Sequence, residues 1–183
     1  MAWIAGYTVH SWELAALRAW GVTFLAPSIA WHGAPAWLPG PSAIFTVAGL
    51  LGIAVSLTGN VVAQRFGRLR AGSLAMGGGA VFALLAGGSA LVSAPLAALC
   101  VIAWNAAIYL DSSALTAGTV QAAAEERRGA TMGLHSMCGY AGGFLRPVIM
   151  GIVLDVAGAG LRAPGTCHAG RPVGVAAPWP QRL

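Results

Sequence analysis

Lysine is absent from this chain and charge of either sign is scarce: ten arginines and five acidic residues make up 8% of the 183 residues. Soluble domains carry about 25% charged residues, so an ordinary water-facing surface is excluded. No charged side chain stands between Ala19 and Gln64, nor between Ala71 and Leu110. Each stretch is about twice the ~20 apolar residues that cross a bilayer. Cysteine is nearly missing too. Cys100, Cys138 and Cys167 are odd in number and far apart, so neither a disulfide framework nor a zinc site follows. The sequence holds no glycine-rich phosphate loop, metal-ligand cluster or nucleophile constellation, so no enzyme activity and no cofactor are expected. The arginines punctuate apolar blocks instead of interleaving with aromatics, which argues against nucleic acid as a partner. Met1–His10 lacks the basic region of a cleavable signal peptide.

What is present fits lipid as the solvent. Hydrophobic residues reach 57% and mean hydropathy is +0.74. The 26 glycines suit helices that approach closely where hydrophobicity cannot drive packing. An all-α integral membrane bundle of five spans is predicted, over residues 11–31, 42–63, 71–92, 96–120 and 129–154. A turn rich in proline and glycine, His32–Pro41, separates the first two spans, and Ser93-Ala94-Pro95 makes a reversal before the fourth. Gln64–Arg70 reads as a short basic loop and Glu125–Arg128 as a charged one. Residues 156–183, with four prolines and scattered arginines, are expected to form a disordered tail.

Orientation follows from the arginines. Arg65, Arg68, Arg70, Arg127 and Arg128 lie in the loops after spans two and four, and none lies after spans one and three. Positive charge stays inside, which predicts a multi-pass protein of the bacterial inner membrane with a cytoplasmic N-terminus. Trp31 and Trp37 flank the outer turn, and Tyr7 and Trp12 are expected at the inner interface.

Ionisable groups inside spans demand partners or a watery cavity. Glu13 and Arg18 are five apart, some 140° around a helix, so they need not pair with each other; Arg18 can snorkel. Asp111 lies roughly 22 Å along the fourth span at 1.5 Å per residue. It either serves a pathway or bonds neighbouring hydroxyls such as Ser112 or Thr116. His135 reads as a polar packing residue and Arg146, before Pro147, as an unusual cation. Gly139, Gly142 and Gly143 read as a close helix contact.

The segment Gly59-Asn-Val-Val-Ala-Gln-Arg-Phe-Gly-Arg-Leu-Arg70 resembles the signature loop of the major facilitator superfamily. Gly67 falls at its tight turn and Arg65, Arg68 and Arg70 at its basic positions; it departs at its start, where Asn60 stands at the first glycine with Gly59 one step early, and at Gln64, which replaces the usual aspartate. The segments 6–14, 111–119 and 151–155 are similar to helices seven, ten and eleven of that family. The resemblance implies a five-helix portion of the second half of a secondary transporter, a fragment without its final helix. It implies transport of a small solute by alternating access. The first and fourth spans would line the cavity, with Trp104, Asn105 and Asp111 as substrate or proton contacts beside Glu13 and Arg18. Expected partners are the lipid bilayer, the solute, and a missing N-terminal half or a second chain. The alternative is a non-transporting remnant or small membrane subunit that packs against another membrane protein.

Overall fold

A computed structural model describes residues 1–160, and among the described residues there are helices and no strands. Five helices follow one another: α1 (Ala2–His32), α2 (Pro41–Phe66), α3 (Arg68–Ser89), α4 (Ala94–Ala122) and α5 (Arg128–Gly160), the last preceded by a single 3-10 turn at Glu125–Arg127. All five are long and apolar enough to cross a membrane. Their outer faces suit lipid, since Leu57, Leu74 and Leu84 are each at least 75% exposed. Apolar side chains in such density would not stay in contact with water.

Residues 1–150 form one compact unit. At its centre α4 packs against α1, α2 and α3, and its two inner faces follow heptad-like stripes. Trp104, Asp111, Leu115 and Gly118 meet Glu13, His10, Gly6 and Trp3 of α1 in antiparallel order. Asn105, Tyr109 and Leu110 meet Ala48, Gly52 and Gly59 of α2. A side chain at Gly59 would place its Cβ 2.2 Å from the Leu110 carbonyl oxygen, so only glycine lets the two backbones come together here. On its other side α1 carries α5: a Cβ at Gly142 would fall 2.8 Å from the Thr8 carbonyl oxygen, and one at Gly139 would strike the Tyr7 ring. The small residues expected to form a close contact do so. From Gly151 the described residues continue α5 as far as Gly160.

The ends of the bundle differ in character. Trp3 lines two clefts, one with the α2–α3 junction and one with the α4–α5 junction. The N-terminus therefore shares its end with Arg65, Arg68, Arg70, Arg127 and Arg128. At the opposite end the Ser28 hydroxyl and His32 Nε2–H donate to the Ala90 carbonyl, at 3.0 and 3.1 Å. That oxygen follows the last turn of α3 and has no helical partner of its own.

Several boundaries depart from the sequence reading. Helix α1 begins at Ala2, not near Ser11, because Ala2–His10 contains no proline and only one glycine to break it. Pro27 stays inside α1 and Pro147 inside α5, which membrane-spanning helices tolerate. The basic loop expected at Gln64–Arg70 shrinks to Gly67 alone, since α2 runs through Phe66 and α3 starts at Arg68. Gly67 has φ 88° and ψ 131°, a conformation open to glycine and strained for other residues. Gly59 and Asn60, at the start of the cytoplasmic loop motif but within the expected second span, lie inside α2. Helix α5 passes its expected end at Leu154; the rest of the tail, with Cys167, lies outside the described residues.

Candidate functional site

Burial selects the candidates. Within the apolar layer, the least exposed ionisable side chains are His10, Asp111 and His135, at 4%, 2% and 2% exposure. They come from α1, α4 and α5 respectively. His10 lies on the stripe of α1 that faces α4, about 12 Å from the helix start, and Asp111 about 17 Å from the end of α4, at 1.5 Å per residue. Antiparallel packing brings the two to matching depth. His10 Nδ1–H donates to Asp111 Oδ1 at 2.8 Å. A lone carboxylate at this depth is strongly disfavoured, and the imidazole supplies the partner it requires.

A second imidazole joins through an aromatic ring. Tyr7 stacks on His135 with centroids 3.8 Å apart, and its other neighbour is His10 at 5.7 Å, both within 20° of parallel. The Thr119 hydroxyl donates its only proton to the Leu115 carbonyl at 3.0 Å. Its oxygen is then left to accept from His135 Nδ1–H at 3.1 Å. This places a proton on Nδ1, and the buried Nε2 has no hydrogen-bond partner. The result is a column, Asp111–His10–Tyr7–His135–Thr119, buried except at the half-buried Tyr7 and tying α1, α4 and α5. Its Thr119 end borders a cleft of about 260 Å³ near Met1 and Arg127.

A more open set of polar contacts flanks the column. Trp104 Nε1–H donates to Glu13 Oε1 at 2.5 Å. Glu13 also lies against Gly79 of α3, whose lack of a side chain leaves room for the carboxylate. Arg18 is exposed and donates to the Tyr109 hydroxyl. Its guanidinium stands 5.9 Å from the centre of the same ring. Arg146 of α5 sits over the Trp12 ring at 5.1 Å, a cation–π contact. Glu13 and Arg18 thus reach different partners, as their angular separation requires.

Of the sequence-predicted residues, Glu13, Trp104 and Asp111 come together on the α1–α4 seam. Asn105 does not join them. It is one residue out of register with that seam, and its Nδ2–H donates to the Ala48 carbonyl of α2 at 2.6 Å. That bond ties α4 to α2. The alternative in which Asp111 bonds Ser112 or Thr116 is overturned, because the Thr116 hydroxyl donates to the Ser112 carbonyl while Asp111 takes His10. Tyr7, expected as an interfacial anchor, stacks on two histidines, and Trp12, expected as another, carries Arg146 over its ring. Among the basic positions Arg68 is half-buried, its Nη1–H donating to the Ala117 carbonyl at 3.4 Å. Arg65 and Arg70 are exposed. His10 was missed by sequence reasoning. The signal was there: a buried aspartate needs a cationic or donor partner, and only a few such groups exist in the spans.

No protein-family model, no curated protein and no solved structure matches this chain. What fold and site define is a class: an α-helical bundle with five candidate membrane spans and ionisable groups held between them.

Proposed function

We propose that the chain works in transmembrane transport of a small solute, as part of a secondary transporter of the major facilitator type. In this reading α1 and α4 line the pathway, the arginine-bearing end faces the cytoplasm, and the membrane is the bacterial inner one. The observation that carries it is the placement of two carboxylates, Glu13 and Asp111, on one seam between two apolar helices. Intramembrane ionisable residues are rare and mark substrate or ion pathways by default, and transporter sites lie between repeats near the midplane. The five helices hold the seam closed against itself, so a pathway needs a second body, either a preceding half or a second chain. Rocking of that body against α1 and α4 would expose the seam to alternate sides.

A second reading, a membrane subunit without transport activity, draws support from the bonding of both carboxylates within the bundle. Uptake of labelled solutes by proteoliposomes separates the two. The transporter reading predicts saturable uptake when the chain is joined to a second bundle, reduced at least tenfold by Asp111→Asn or Glu13→Gln. Uptake that both variants leave unchanged would refute the assignment of the seam as a pathway.

A further inference from the structure

The two arginine-bearing junctions are not equivalent. At the α4–α5 junction Arg128 has Glu125 at 3.7 Å, with Glu126 alongside. At the α2–α3 junction Arg65, Arg68 and Arg70 have no carboxylate within ion-pairing distance among the described residues. Gln64 supplies no charge where an aspartate would neutralise them. Three guanidinium groups therefore crowd a hinge one residue long, and one of them, Arg68, is half-buried with a single long bond to a carbonyl. Beside them opens a cleft of about 440 Å³ lined by Trp3, Phe66, Gly67, Arg68, Leu69 and Arg70. Its lining brings Arg68 and Arg70 together with apolar walls. Phe66 and Leu69 are 64% and 70% exposed and continue into the lipid-facing surface through Leu74.

We infer that this cleft binds the headgroup of an anionic glycerophospholipid. The phosphate takes the Arg68 and Arg70 forks, which suit phosphate geometry. The glycerol backbone lies against Trp3 and Phe66, and the acyl chains descend along Leu69 and Leu74. A basic pocket between helices at the cytoplasmic face is where such lipids bind. Free phosphate would use the forks but not the apolar wall. The inference needs only that the chain lies in a membrane and is independent of transport.

The test is a lipid titration of the purified full chain in detergent, followed by native mass spectrometry. The probes are phosphatidylglycerol, phosphatidylcholine and glycerol 1-phosphate. Phosphatidylglycerol should bind at least tenfold more tightly than phosphatidylcholine. Arg68→Gln/Arg70→Gln should erase that preference, while Arg127→Gln/Arg128→Gln, with the same loss of charge at the other junction, should keep it within threefold. Because loss of arginine can disturb insertion, Arg68→Lys/Arg70→Lys provides a second variant. It keeps the charge, loses the fork, and should weaken phosphatidylglycerol at least threefold. Equal losses from both glutamine pairs, or lysine variants that bind as well as the parent chain, would overturn the inference in favour of diffuse attraction. Displacement of the lipid by millimolar glycerol 1-phosphate would overturn the lipid as ligand in favour of a soluble phosphate.

Discussion

His10 and Asp111 are worth more as a pair than either is alone. Removing the imidazole leaves a buried carboxylate without its donor, which in folded proteins costs about 3–5 kcal/mol. Replacing both by apolar residues of similar volume removes the unmet charge together with its partner. His10→Leu alone is therefore expected to destabilise the bundle strongly, and His10→Leu/Asp111→Leu much less than the sum of the single changes. The coupling should be on the order of 1–3 kcal/mol in a double-mutant cycle, read by unfolding in mixed micelles. Additive effects would mean that the 2.8 Å contact carries no energy. At this scale the sequence was partly legible. Seven-residue spacing puts Trp104, Asp111 and Gly118 on one face of α4, and Asn105 off it, without any coordinates. The partner of Asp111 was not legible, because it lies 101 residues away in sequence. Choosing among His10, Arg18, His135 and Arg146 requires the relative depth and rotation of three helices.

Helix contacts here depend on missing side chains. Gly59→Ala must push α2 away from α4, since the added carbon would meet the backbone oxygen of Leu110. Backbone cannot move aside as a flexible side chain can. A loss of about 1–3 kcal/mol is expected, as for overpacked cores. Gly49→Ala on the same helix has open space around it and should change stability little. Gly67→Ala tests a different cause, because nothing lies near its Cβ and only the backbone conformation resists. A cost of about 1–3 kcal/mol is expected for a strained position, with the bundle otherwise intact. Thermal unfolding of the three variants side by side checks both claims. Apolar runs and proline-glycine breaks announced the helices, and the glycine cluster of α5 announced its close contact. The hinge was harder to read: basic residues suggested a loop, yet arginine is a good helix former, so both helices run through their arginines up to Gly67.

The unit of residues 1–150 has one arginine-rich end, one end without arginine in its linkers, and an apolar belt between. The arginine-rich end carries the N-terminus and both clefts, and the opposite end carries Trp31 and Trp37, both exposed. This asymmetry was the most legible property of the sequence, since it needs only alternation of spans and the position of five arginines. The assignment of that end to the cytoplasm rests on the positive-inside bias. Cysteine accessibility in intact cells tests it together with the membrane setting, using a chain whose own cysteines are replaced by alanine. Trp37→Cys should react with a membrane-impermeant maleimide from outside, Phe66→Cys only after permeabilisation, and Leu57→Cys poorly in either state because lipid covers it. Labelling of Phe66→Cys from outside, or ready labelling of Leu57→Cys in water, would contradict the account.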